Sequence, residues 1–193
     1  AQTHFTAERT GDSDAQDVIF IPGLASPGDV WSETVDALGD DIDAHIVTAA
    51  GFGDVPPSGD GAFIAPLVED LAAYLDAHHL SGVTLVGHSM GAQIALKLAA
   101  ARPDAIDQVI VVDSAPFYAR LFNPVITPEQ AAVFGQGMAA QMGNMPRDQF
   151  LAVSRLGLMI QSISVEGQAR VMCAVERADR PAGAGGRGGG AGS

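Results

Sequence analysis

The sequence predicts an α/β fold, with a mostly parallel sheet, helices on both faces and a helical segment after the last strand. Three observations carry this expectation. The runs "VIFI" (18–21), "VTLV" (83–86) and "QVIVVDS" (108–114) have the apolar character of strands buried on both faces. Helical stretches separate them at the spacing of right-handed βαβ units. Finally, "LVGHSMGA" (85–92) joins such a strand to such a helix through a serine set between two glycines.

Taken in order, "THFTAER" (3–9) alternates and reads as an edge strand. "GDSDAQD" (11–17) is a polar turn. Its Asp spacing resembles a calcium loop, but the glycine and closing glutamate such a loop requires are absent. "VIFI" ends at Pro22-Gly23, a helix is expected from near Trp31 to Leu38, and "AHIVTAA" (44–50) is the next strand. In "IAPLVEDLAAYLDAHH" the residues Ile64, Leu67, Val68, Leu71 and Leu75 form one helical stripe. His78 and His79 close that helix, where an imidazolium suits the dipole. Adjacent helical side chains diverge by about 100°, which argues against a shared metal. "AQIALKLAAAR" (92–102) is a helix stopped by Pro103. Residues 117–172 contain no convincing strand, and they hold Met138, Met142, Met145, Met159 and Met172 on apparent helices. A last helix is expected over 164–173. "ADRPAGAGGRGGGAGS" buries nothing and is expected to be disordered.

Composition narrows the partners. A chain of 193 residues with 47% apolar content suits one globular core, and no apolar run is long enough for a membrane helix. The net charge of −13 argues against nucleic acid and anionic membranes as partners. Residues 1–113 hold 18 acids and 3 bases, against 5 and 7 in 114–193, so the acidity lies in the sheet-forming part. Cys173 is the sole cysteine, so no disulfide forms within the chain. The start "AQT" suits the product of signal-peptide cleavage, which makes a periplasmic or secreted location the first expectation and a cytoplasmic one the second.

The serine turn carries the chemistry. Gly87-His88-Ser89-Met90-Gly91 fits G-x-S-x-G with a buried strand before it and an amphipathic helix after it. Turning a strand into a helix within about one residue strains the serine and requires small neighbours at 87 and 91. The result is an exposed hydroxyl at a helix N-terminus, where developing negative charge is stabilised.

Four segments, "IPGLASPGDVW", "AAGFGDVPP", "VGHSMGAQIALKLAAARP" and "VIVVDSAPF", follow one another over residues 17 to about 117. Through them the chain resembles the α/β-hydrolase fold superfamily, of the lipase, esterase and haloperoxidase type. The resemblance implies Ser89 as nucleophile and the backbone N–H groups of Leu24 and Met90 as oxyanion hole. For the acid it implies either Asp113, as in some branches of the superfamily, or a position after a further strand that this sequence lacks, and it implies Trp31, Phe52 and His88 as pocket residues. The domains would be 1–116, the hydrolase core with the nucleophile elbow; 117–172, a helical cap or lid; and 173–193, a Gly/Ala/Arg-rich tail. No metal or organic cofactor is implied. The expected partner is a small-molecule ester.

One part of the pattern is missing. The family's order is Ser, then Asp or Glu, then His, yet His4, His45, His78, His79 and His88 all precede Ser89. His88 adjoins the serine, where the turn is expected to aim its side chain away. The last strands of the fold are also missing, so the chain reads as truncated at its C-terminus. Its tail resembles an out-of-frame reading of GC-rich DNA, and the G-x-G-x-x-G at Gly183, Gly185 and Gly188 lacks a flanking strand and helix. Strand 108–114 is then an exposed apolar edge suited to self-association. The leading expectation is a serine hydrolase of small or medium apolar carboxylic esters, acting through an acyl-enzyme on Ser89 and impaired by the absent histidine. The alternative is an inactive remnant or binding module on the same fold. A lyase or a cofactor-free peroxidase is a third idea, by analogy of fold alone.

Overall fold

The structure is a computed structural model, and it describes residues 4–58, 63–121, 123–161, and 169, 172, 173, 175 and 176. Five strands are described: β1 (Phe5–Gly11), β2 (Gln16–Ile21), β3 (Ile42–Ala49), β4 (Val83–His88) and β5 (Ile106–Val112). Five α-helices accompany them: α1 (Ser32–Leu38), α2 (Ile64–Ala77), α3 (Met90–Ala101), α4 (Pro128–Asn144) and α5 (Arg147–Gln161). The sheet order is β1-β3-β2-β4-β5. β1 runs antiparallel to β3, and every other pairing is parallel.

Alternation along β2 decides which face each helix covers. Ile19 and Ile21 point to the face of α2 and α3, where they pack with Leu67, Leu71, Leu75, Leu85, Ile94 and Leu98. Val18 and Phe20 point to the other face, packing with Val35 of α1, Ile46 and Val86. The stripe expected on the 64–75 helix is real: Leu67, Leu71 and Leu75 are fully buried.

Three boundaries move from the sequence reading. β3 opens at Ile42 because Asp43, a poor strand former by type, is buried against Arg9 of β1. His45 therefore lies inside β3 rather than opening it. β5 opens at Ile106, where the polar Asp107 and Gln108 had hidden the first pairings. α3 starts at Met90, directly after the serine.

β5 is the outer strand of the described sheet. The register sets Val86 beside Ile110 and His88 beside Val112, on the α1 face, and there Ile110 stays 42% and Val112 37% exposed. α5 lays Phe150 and Leu151 against the larger cluster. Of the expected helix over 164–173, residues 169, 172 and 173 are described, and they are helical. Beyond the expected tail boundary at 173, residues 175 and 176 are helical. Val175 is buried in the larger cluster, and Glu176 accepts hydrogen bonds from Arg147 and Arg155. The expected disorder of the glycine-rich stretch, with its G-x-G-x-x-G, falls outside the described residues. Among the described residues no helix is long and apolar enough to cross a membrane.

Candidate active site

β4 ends and α3 begins on either side of Ser89, so one residue makes the whole turn. Ser89 adopts φ 52° and ψ −113°, a left-handed conformation that costs a non-glycine residue energy. Two hydrogen bonds hold it there: its N–H donates to the Val112 carbonyl at 3.0 Å, and its own carbonyl accepts from Ala92 at 3.1 Å. The flanking glycines are required sterically. A Cβ at Gly87 would lie 2.5 Å from the Ala92 Cα, and one at Gly91 would lie 2.1 Å from the Ile21 carbonyl oxygen.

That second contact brings the two halves of the site together. The chain leaving β2 crosses over the first turn of α3, and Gly23 stands beside the serine, where a Cβ on it would lie 3.5 Å from the Ser89 Cβ. The crossing segment is a tight turn, with Ser26 N–H donating to the Gly23 carbonyl and Ala25 at φ 57°. The Met90 N–H opens α3, among the helix donors left without an intrahelical acceptor.

His88 and Asp113 complete the cluster. Asp113 follows β5 at φ 47°, the same unusual region as Ser89 at the end of the neighbouring strand. Its Oδ2 stands 3.9 Å from His88 Nε2. Burial pushes the His88 imidazole below its ordinary value, against the opposing pull of the Asp113 carboxylate. Gln93 on α3 donates to Ser114 Oγ and to the Ala115 carbonyl, tying the segment after β5 to the elbow helix. Sequence reasoning passed over Gln93. Its signal was an amide set among Ala92, Ile94 and Ala95 on the buried side of that helix.

The remaining histidines are elsewhere. The register aligns His45 with Ile19 and Ile19 with Leu85, so Ser89 lies four residues further along and two strands across. That is about 13 Å along the strands and about 10 Å across them. His45 is instead fixed by Tyr74 Oη at 2.8 Å and Asp17 Oδ1 at 3.0 Å. His4 bonds Asp70 through both its backbone N–H and its ring, three strands from β4. His78 stacks on Tyr74, and His79 follows it before β4 begins. Among the described residues, no histidine makes a hydrogen bond to Ser89.

Asp17, Asp43 and His45 offer ligand atoms within 4.8 Å of one another, a grouping that sequence spacing did not reveal. The Arg9 guanidinium already donates to both oxygens of Asp43 and holds its carboxyl below the usual carboxylate range. Asp43, one of the three, is thus already paired with a cation of the protein's own.

The two aromatic candidates do not come together. Trp31 packs on Phe20 beneath α1, while Phe52 packs on Phe63 in the cluster on the opposite face. Ser89, His88, Met90, Leu24 and Asp113 do gather at the carboxyl ends of adjacent strands, where parallel sheets place their sites.

A mostly parallel sheet whose strand–serine–helix turn lies under a crossing loop defines an α/β protein with a serine at a sharp strand-to-helix turn. The chain belongs to the alpha/beta hydrolase fold family, whose model matches residues 18–184. A pimeloyl-[acyl-carrier protein] methyl ester esterase of Aeromonas hydrophila subsp. hydrophila is 32% identical over 154 residues, covering 79% of this chain and 58% of that protein. An sn-1-specific diacylglycerol lipase of Mus musculus is 32% identical over 108 residues, 55% of this chain and 35% of that protein. The chain thus spans less than two thirds of these relatives' length. Among solved structures, a hydrolase from Pseudomonas aeruginosa PA01 superposes with a TM-score of 0.72 at 17% identity, over 92% of this chain and 64% of that one.

Proposed function

We propose that the chain is a serine hydrolase of carboxylic esters with a small or medium apolar acyl group. Ser89 is the nucleophile. The observation that carries this reading is the strained Ser89 itself, held at φ 52° between β4 and the N-terminus of α3 with the Pro22–Leu24 turn laid beside it. Such strain persists where the surrounding structure over-determines it, and it clusters at functional sites. Ser89 Oγ attacks the ester carbonyl and gives its proton to a base, which returns it to the departing alcohol. The oxyanion sits between the Leu24 and Met90 N–H groups, the alcohol departs, and water releases the acid from the acyl-enzyme. Asp113 is the carboxylate of the site. α4 and α5 serve as its cap. The methionine-rich sequence over 117–172 suits a loosely selective apolar pocket. The similarity to the methyl ester esterase and to the diacylglycerol lipase supports the ester class.

A second reading rests on a specific observation: no histidine bonds Ser89 among the described residues. A serine without a base makes this a binding module that keeps the elbow and holds an ester without turnover. Fluorophosphonate labelling of the 193-residue chain, with Ser89→Ala as control, separates the two. Labelling at Ser89 that vanishes in the variant supports the hydrolase. A folded chain that stays unlabelled while still binding an ester supports the module.

A further inference from the structure

The Leu24 N–H belongs to a rigid peptide plane that starts at the Gly23 Cα. Gly23 anchors one end of that plane, and the Ser26 N–H bond to the Gly23 carbonyl restrains its rotation. Gly23 is gripped from two sides. On one side, the carbonyls of Ile21 and Pro22 rest on Gly91 at the start of α3. On the other lies the His88 ring. A Cβ built on Gly23 would stand 2.9 Å from His88 Nδ1, 3.4 Å from its Cε1 and 3.5 Å from the Ser89 Cβ. The other ring nitrogen, Nε2, bonded to the same Cε1, faces Asp113 Oδ2 at 3.9 Å. The ring is thus a spacer with one nitrogen on the turn and the other toward a carboxylate.

We propose that His88 is a positioning residue, whose imidazole, seated on Gly23 and faced by Asp113, sets the place of the Leu24 N–H relative to Ser89. This rests on the reading of Ser89 as a nucleophile served by that donor. An oxyanion donor works within a few tenths of an ångström of its best distance, so small movements of the ring matter. Protonating the ring puts a positive charge opposite Asp113 and draws Nε2 toward it, and the Nδ1 edge follows away from Gly23. Asp113, from the end of β5, is the charged group acting on the ring. The turn after β2 brings Pro22, Gly23 and Leu24, and α3 brings Met90 and Gly91, all uncharged. The position of the donor is therefore sensitive to pH through one imidazole.

Amide proton–nitrogen spectra of the full chain between pH 5 and 8 test this without requiring turnover. The Leu24 amide should shift with the same midpoint as the His88 ring, and Asp113→Asn should lower that midpoint. His88→Gln should abolish the shift. A Leu24 amide that stays still while His88 titrates, or that still titrates in His88→Gln, overturns the proposal. Fluorophosphonate labelling of the same samples reads the nucleophile separately. His88→Gln should slow it by about tenfold to a hundredfold, as expected for a displaced rather than deleted catalytic group, with the apparent affinity for the probe unchanged. Unchanged labelling in that variant also overturns the proposal. Absence of labelling in the parent chain tells against the hydrolase reading, and the Leu24 amide still decides the role of His88.

Discussion

Gly91 and Ile21 stand so close that no side chain fits between them: a Cβ on Gly91 would lie 2.1 Å from the Ile21 carbonyl oxygen. The contact joins the end of one strand to the start of the helix after another. It is what brings the Pro22–Leu24 turn, one strand away in the sheet, over the N-terminus of α3. A requirement for glycine that looks like elbow geometry in the sequence is therefore also a requirement for assembling the site.

Gly91→Ala tests this coupling. Overpacking at a backbone contact costs about 1–3 kcal/mol, because neither carbonyl of the β2 turn can yield without moving the turn. Urea unfolding should show that loss, and labelling of Ser89 should fall further than the stability change explains. Full labelling in the variant would separate the turn from the site.

His88 gives a pH dependence whose sign follows from its burial. The unfolded chain takes up a proton near pH 6.5, while the folded site resists it. The stability due to the neutral ring is thus complete above about pH 6.5 and declines as the pH falls toward the lowered folded value. Thermal midpoints between pH 5 and 8 should show this decline in the parent chain and a shallower one in His88→Gln.

Asp43 behaves in the opposite sense. Its hydrogen bonds from Arg9 lower its folded value, so the stability it contributes is present above the ordinary carboxylate range and is lost as the pH falls through the folded value. Asp43→Asn should lower stability by a constant amount above pH 5 and flatten the acid limb below about pH 4, where the two curves converge. A parallel shift of the whole curve would mean that the pair contributes by packing alone.

The sheet was legible because apolar runs and a helical stripe follow directly from burial on two faces, as Leu67, Leu71 and Leu75 show. The elbow was legible because its steric demands act on neighbouring residues, Gly87 and Gly91. What stayed hidden depends on contacts far apart in the chain. Arg9 with Asp43, Asp17 with His45, and His4 with Asp70 are 34, 28 and 66 residues apart, and no local pattern announces them. For the same reason Trp31 and Phe52, both read as pocket residues, reached opposite faces of the sheet.

The outer strand should be felt in solution. Ile110 and Val112 are exposed on β5, the outer strand of the described sheet, a combination that invites pairing with another copy. Sedimentation over a range of concentrations should show association that Ile110→Lys reduces. Equal association in the variant would place any contact elsewhere, for instance on the exposed Val133 and Phe134 of α4.

Ser89 itself offers a direct test of whether strain is stored for function. At φ 52° a Cβ is disfavoured and glycine is not. Ser89→Ala keeps the Cβ and hence the strain, so its stability should match the parent's within about 0.5 kcal/mol. Ser89→Gly removes the Cβ and relieves the strain. Residues held in such regions cost on the order of 1–3 kcal/mol, while the added freedom of an unfolded glycine takes back roughly 0.5–1 kcal/mol. The glycine variant should therefore unfold at higher urea than the alanine variant, by a net gain of about 1 kcal/mol, and both should fail to label. Equal midpoints for the two would mean that the turn accommodates an L-residue without cost, and the conformation of Ser89 would then no longer count as support for a catalytic role.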